Sequence, residues 1–381
     1  MKQLVEHPKG LLEVTSEIKS GQKLTIISNF EDELEKRKRK PKVSLNTFEH
    51  SKVTEMVKQR EASIYAFYKI IKSKVDKHQL GSMMSREMYR LQNLLPALAA
   101  RNELEKCIKE NQFLVVTGST GSGKSTQIPQ YIVDMNPDET IRVICTQPRK
   151  LSVISLTRRV AFEFSGGKKN LTAVGDRVGY RVGGSSVKSD KTCIEYVTEG
   201  TLLRDILSYL NGKSSDPLKN YYAVVVDEAH ERNLNTDLLI GLLYSNVKLW
   251  PNMKVIVTSA TLNTPLFTNY FGKCPFINIA GMTYPVEVVY KPSNIEHIVS
   301  RVLHQVNEIL ESTDSNSGDI LCFLTGQEDV ERAKQEFKQK EGVFVFCLYG
   351  TQPTEEQKKA FKHMKKGERK VIFATDVAET S

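Results

Sequence analysis

A chain of 381 residues with 40% apolar and 26% charged side chains is long enough for two compact domains and can bury real cores, which excludes wholesale disorder and fibrous repeats. No stretch approaches the ~20 apolar residues that span a bilayer, the amino terminus lacks the apolar segment of a signal peptide, and six scattered cysteines without a Cys-x-x-Cys pair argue against a disulfide framework or zinc knuckle. The net charge of +9 is uneven: residues 1–100 hold 19 Lys and Arg against 12 Asp and Glu, so a nucleic-acid groove in the nearly neutral remainder must be local.

In chain order, residues 1–45 show no sustained period, which predicts an unstructured tail. Within it Lys36-Arg37-Lys38-Arg39-Lys40-Pro41-Lys42 follows an acidic stretch. Such a run reads as a nuclear-import signal, an RNA-binding arm or a solvated linker; the expected location is the nucleus, otherwise the cytoplasm. Residues 46–78 carry Phe48, Val53, Met56, Val57, Ile64, Phe67, Tyr68 and Ile71 at helical spacing, a docking or core face. Residues 86–110 again have helical spacing, interrupted at Pro96. From Gln112 short apolar runs alternate with helical stretches: Phe113–Val116, Ile141–Cys145, Thr192–Val197, Ala223–Val226, Val255–Val257, Ile320–Leu324, Val343–Leu348 and Val371–Ala374. Runs of this kind suit strands buried on both faces, and their alternation with helices predicts an α/β fold with parallel, doubly wound sheets. Pro275, Pro285, Pro292 and the 312–318 loop divide the series. The predicted domains are a basic extension (1–95), a first α/β domain (96–283) and a second (284–381).

Gly118-Ser119-Thr120-Gly121-Ser122-Gly123-Lys124-Ser125-Thr126 follows a predicted strand and opens a predicted helix. Glycines at this spacing let a loop wrap phosphates with its backbone N–H groups turned inward, Ser122 among them, and the helix N-terminus adds positive potential. Lys124 is expected at the β/γ-phosphates and Ser125 on Mg²⁺. A chance glycine-rich turn is the plain alternative. Pro129 lies early in this helix and should kink it or mark its first turns.

Ala223–Val226 leads into Asp227-Glu228-Ala229-His230. Ligands gather at the carboxyl ends of strands in open α/β sheets. Asp227 can hold the Mg²⁺ shell there and Glu228 can deprotonate a water, whereas two adjacent acids without a cation would repel. His230 stands three residues on, near the γ-phosphate; a lone histidine is otherwise structural.

Taken in order, these residues resemble a DEAH-box RNA helicase of superfamily 2, of the spliceosomal and ribosome-biogenesis type. Gly118–Thr126 is similar to motif I, Thr146–Lys150 to motif Ia, Thr198–Arg204 to motif Ib, Asp227–His230 to motif II, Ser259-Ala260-Thr261 to motif III, Leu321–Glu328 to motif IV and Ala374–Ser381 to motif V. The resemblance implies two RecA-like domains, ATP with Mg²⁺ between them, and RNA bound through its backbone without sequence readout. It implies that Arg159 and Phe361 sandwich the base, that Arg149, Lys150, Thr198 and Thr375 contact RNA, and that Ser259 and Thr261 couple hydrolysis to domain movement. A protein activator of the G-patch type and a monomeric state are implied as well. The sequence ends at motif V, before the family's motif VI with its arginine fingers, worth about 10³–10⁵ in kcat in related enzymes. The expectation is an incomplete second domain with an exposed strand edge, and weak hydrolysis by this stretch alone. A non-hydrolysing ATP- or RNA-binding or docking module is the alternative, and backbone contacts leave a DNA motor open. Two departures stand out: Val178–Gly184 lacks the Arg-Phe-acid of many relatives, and Asp376 replaces a common Asn.

Overall fold

In a computed structural model of the chain, the described residues are 96–135, 141–165, 174–260, 264–272, 274–279, 286–292, 297–314, 318–361, 364–365 and 367–379, with Met83, Arg86 and Arg90. The basic run at 36–42, the predicted helix at 46–78 and Thr261 lie outside them. The chain divides into two compact units between Tyr284 and Pro285.

The first unit is an eight-stranded sheet in the order β4-β3-β5-β2-β6-β7-β1-β8. Its strands are β1 (Phe113–Gly118), β2 (Val143–Gln147), β3 (Val178–Val182), β4 (Ser185–Val187), β5 (Ile194–Thr198), β6 (Ala223–Val226), β7 (Lys254–Ser259) and β8 (Phe276–Ile279). Every pairing is parallel except the β3–β4 hairpin. The helices are α1 (Arg101–Glu110), α2 (Lys124–Met135), α3 (Lys150–Phe164), α4 (Glu199–Leu210), α5 (Leu234–Ser245) and α6 (Thr264–Tyr270).

The apolar runs are continuous because alternate residues feed two cores. Leu114, Val116, Val143, Cys145, Val225 and Ile256 join Ile128, Ile132, Val153 and Val160 of α2 and α3 on one face. Val115, Ile144, Val224, Val226, Val255 and Val257 join Leu202, Ile206, Leu239 and Leu243 of α4 and α5 on the other. A strand whose odd and even side chains are both covered cannot show polar alternation. The edge strand β8 does alternate, with Ile277 and Ile279 buried and Phe276 and Asn278 exposed. Strands β3, β4 and β8 were not among the predicted runs. The first is interrupted by Gly179 and Arg181, the second is exposed along its length, and β8 is four residues long.

The second unit has a parallel sheet in the order β10-β11-β9, from β9 (Ile320–Phe323), β10 (Val343–Leu348) and β11 (Arg369–Ala374). Helices α7 (Ile298–Ser312) and α8 (Gln327–Glu336) bury Val299, Leu303, Val306, Val330 and Ala333 against Cys322, Cys347, Val371 and Phe373, and α9 spans Thr354–Ala360. Both units are α/β with parallel-dominated sheets.

Pro129 lies inside α2 and removes the N–H that Ser125's carbonyl would have accepted. The Tyr196 hydroxyl from β5 donates to that carbonyl instead, at 2.7 Å. The helix is continuous through Pro129 to Met135. At its far end Asp134 is buried with Arg86 (2.6 Å) and Arg90 (2.9 Å). The guanidinium of Arg90 also covers the Tyr131 ring and that of Arg86 the Phe164 ring.

Burial opposes the Asp134 charge, but Arg86, Arg90 and Arg101 outweigh it and hold the carboxyl at about 2, below its ordinary 3.8. A depressed carboxyl stabilises the fold above its unfolded pKa, so this contribution is complete above about pH 4 and lost as pH falls through about 2. Asp134→Ala leaves buried cations without their acid and should lower the stability of the first unit by about 3–5 kcal/mol, read from denaturant unfolding at neutral pH.

Candidate nucleotide and nucleic-acid site

The carboxyl ends of β1, β2, β5, β6 and β7 share one end of the first sheet, because these strands are parallel. The loop after β1 enters α2 at Lys124. Gly121 and Gly123 have φ of +79° and +94°, a region closed to most side chains. A Cβ on Gly118 would stand 2.8 Å from the Ile279 carbonyl oxygen, so the edge strand β8 requires glycine there. The 3₁₀ turn Pro96–Leu98 braces the loop through Ala97 N–H to the Ser122 carbonyl, 2.9 Å.

Lys124 is buried and folds back over the loop. Its ammonium donates to the carbonyls of Gly118 (2.5 Å) and Ser119 (3.1 Å). Burial lowers its pKa while Asp227 and Glu228 pull the other way. The cationic loop and the acidic tip of β6 thus share one electrostatic environment. Ser122 and Lys124 are buried, and Ser125 and Thr126 are half-buried on the first turn of α2.

Asp227 is buried at the end of β6. It accepts from the Gln147 amide of β2, the Thr258 hydroxyl of β7 and the backbone N–H of Glu228 (3.0 Å). Strands on both sides of β6 therefore hold this carboxylate in place. Glu228 adopts a left-handed backbone (φ 53°) without being glycine, as does Arg232 (φ 51°). Strain of this kind, about 1–3 kcal/mol, persists where surroundings enforce it. Burial and the neighbouring Asp227 charge push the Glu228 carboxyl up to about 7. Nδ1 of His230 lies 3.4 Å from a Glu228 carboxylate oxygen and accepts from the Ala260 backbone N–H at 3.2 Å. His230 thereby joins the Asp227–His230 turn to the Ser259-Ala260 segment, where Ser259 is buried.

Oxygen donors from Asp227 and Ser125 suit Mg²⁺, which keeps most of its shell as water and phosphate oxygen.

Arg149 and Lys150 stand where β2 passes into α3, and Thr198 where β5 passes into α4. β2 and β5 are neighbours, with Gln147 opposite Thr198. Arg149 lies 3.8 Å from Glu231, and the Lys150 ammonium reaches the Gly183 carbonyl at 3.4 Å. Thr198 exchanges a hydrogen bond with Thr201 at 2.7 Å. In the Val178–Gly184 segment, Arg181 pairs with Glu195 and Asp205.

Arg159 lies on α3, half-exposed and bonded to Glu163 at 2.6 Å. Phe361 and Thr375 belong to the second unit. Phe361 follows α9 and is 44% exposed rather than core. Thr375 follows β11, with its N–H on the Leu348 carbonyl at 3.0 Å.

The DEAD/DEAH box helicase family matches residues 100–267, and the helicase conserved C-terminal domain matches residues 294–381. The chain belongs to the DEAH-box helicases. It is 34% identical over 292 residues to the ATP-dependent RNA helicase HrpA of Borreliella burgdorferi, an alignment covering 75% of this chain and 34% of that protein. The crystal structure of the Escherichia coli DEAH/RHA helicase HrpB superposes with a TM-score of 0.64 at 29% identity, covering 75% of this chain and 35% of that one. The chain spans about a third of the length of these relatives. The family implies ATP use.

Sequence reasoning passed over Gln147, Thr258, Tyr196 and Glu163 as site residues. Two carried a signal. Gln147 lies within the Thr146–Lys150 segment, and Pro129 leaves the Ser125 carbonyl needing an outside donor.

A raised Glu228 pKa can be read directly. In the nucleotide-free chain a carboxyl ¹³C titration of Glu228 should give a midpoint of about 7, and Asp227→Asn should move it downward. An unchanged midpoint would mean that burial and Glu231, not Asp227, raise it.

Proposed function

We propose that this chain is the ATP- and RNA-engaging part of an ATP-dependent RNA helicase that couples hydrolysis to remodelling of RNA or RNA–protein complexes. The observation carrying this reading is that the loop ending in Lys124 after β1 and the Asp227-Glu228 tip of β6 stand at the same end of one parallel sheet, where both acids act on the buried ammonium. Bound Mg²⁺·ATP supplies the electrophilic γ-phosphoryl group. Lys124 would exchange the Gly118 and Ser119 carbonyls for phosphate oxygens, which relieves a buried ammonium of weaker partners. The backbone N–H groups of Gly118–Thr126 would cradle the phosphates. Ser125 and Asp227 would hold Mg²⁺. Glu228, once ionised, would take a proton from the attacking water, and a pKa about 7 suits a general base at neutral pH. His230 would report the state of Glu228 to Ser259, and Thr261 would extend that coupling.

Arg149, Lys150, Thr198 and, in the second unit, Thr375 would meet the RNA backbone. Cations and hydroxyls suit phosphate and sugar, and they position a strand without reading bases. Arg159 and Phe361 would stack on the base of the nucleotide. A G-patch activator, a monomeric state and a nuclear role in mRNA processing belong to the same proposal, the last resting on the Lys36–Lys42 run.

Two variants test the reading. Lys124→Ala should abolish the calorimetric signal of Mg²⁺·ATP. Glu228→Gln, placed in the full-length parent protein, should keep binding but lower RNA-stimulated turnover by about 10²–10⁴. Turnover insensitive to Glu228→Gln would defeat the base assignment, and ATP binding with no turnover in the unaltered chain would favour a non-hydrolysing binding module.

A further inference from the structure

Glu163 belongs to none of the segments that resemble helicase motifs, yet it is a carboxylate only 2% exposed, on α3. Three side-chain donors converge on it. Arg159 Nε reaches one oxygen at 2.6 Å, and the amides of Gln127 and Gln130 reach the other at 2.7 and 2.9 Å. Both glutamines are fully buried on α2, the helix that the phosphate loop opens into. The Gln127 amide also donates to the Thr126 hydroxyl at 3.0 Å, and that hydroxyl donates to the Gly123 carbonyl at 3.3 Å. A continuous polar chain thus runs from the last glycine of the loop through Thr126, Gln127 and Glu163 to Arg159.

The asymmetry of the Arg159–Glu163 pair is informative. An ordinary i,i+4 pair on a helix surface leaves both ends in water and fixes neither. Here the acid is buried and Arg159 is 49% exposed. Engaging Nε fixes one edge of a planar cation, which orients its face. A half-exposed guanidinium held in this way is a ready platform for an aromatic ring.

We propose that Glu163 is a positioning residue that sets Arg159 as the stacking platform for the base of a nucleoside triphosphate and locks that platform to the phosphate loop through Gln127. The proposal rests on the nucleotide reading above and adds a specificity element to it: a ligand with a base gains from Glu163, and one with phosphates alone does not.

The experiment compares calorimetric binding of Mg²⁺·ATP and Mg²⁺·tripolyphosphate to the full chain and its variants, with melting curves to verify folding. Arg159→Ala and Glu163→Ala should each weaken ATP about tenfold while tripolyphosphate stays within about twofold, and the double variant should fall no further than Arg159→Ala. Glu163→Gln provides a second route if Glu163→Ala does not fold. The Gln127 carbonyl oxygen, buried without a hydrogen bond, can turn to meet the new amide while the Gln130 amide keeps the Thr126 carbonyl, so the side-chain volume is retained while the charge is lost and the Gln127–Thr126 bond is given up. That variant should give about a threefold, ATP-selective loss. Equal weakening of both ligands would make Glu163 a brace of the phosphate loop only and overturn the proposal, as would no change in either. Arg159→Ala binding ATP normally would remove the base contact and the proposal with it. A wild-type chain that takes up neither ligand would overturn the nucleotide reading itself.

Discussion

The structure depends on how one buried carboxylate is held. Asp227 ends β6, and its immediate neighbours in the sheet, β2 and β7, each send a side chain to it. An ionised acid taken out of water costs several kcal/mol unless its oxygens find donors. Gln147, Thr258 and the Glu228 N–H provide those donors, and Lys124 adds opposite charge. The parallel arrangement makes this possible, because it brings three strand ends to one place. With Asp227 fixed so firmly, the next residue has little freedom, and Glu228 takes a left-handed backbone that a free chain would avoid.

The same strand end links the residues proposed for nucleotide with those proposed for nucleic acid. Gln147 closes β2 with its side chain on Asp227, and Arg149 follows two residues later. Thr198 lies opposite Gln147 on β5. Arg149 in turn lies near Glu231, which follows the Asp227–His230 turn. A ligand that draws Arg149 toward a phosphate therefore acts on the segment that carries Glu228, without any long-range pathway. His230 makes a second such link, since its Nδ1 stands between Glu228 and the Ala260 backbone.

Much of this was legible in the sequence, and the reasons are physical. β1, β6 and β7 appear as apolar runs because both of their faces are covered, whereas β10 is equally apolar with Phe344 exposed. The phosphate loop and the acidic tip of β6 are local in sequence, so spacing alone reveals them. What was not legible is tertiary. Glu163 looks like one charge on an amphipathic helix, and only the fold brings it to Gln127 and Gln130, more than thirty residues away. Tyr196 reads as strand core, and its hydroxyl gains meaning only beside the carbonyl that Pro129 leaves open. Phe361 reads as core by residue type, yet it stands half-exposed at the end of α9. Strand β8 is too short for its alternation to be distinguished from a loop.

Among the acids of the first unit, Asp134 and Glu195 differ from Glu228 and Glu199 in the sign of their pKa shifts. Asp134 is surrounded by arginines and is held at about 2. Glu195 is buried too, but bonds from Tyr221 and Arg181 and the charge of Lys188 keep its carboxyl below the ordinary value. In both places the donors outweigh burial, and the acid is fixed in one ionisation state across the working range of pH. Glu228 is the opposite case. Its nearest charge is another acid, Lys124 is shared with Asp227, and the balance leaves it at about 7. A carboxylate surrounded by donors keeps its charge, whereas one beside another acid, as Glu228 is, can take up and release a proton near neutral pH. The fold produces both behaviours with the same side-chain chemistry, by giving one carboxylate a surplus of cations and the other an acidic neighbour.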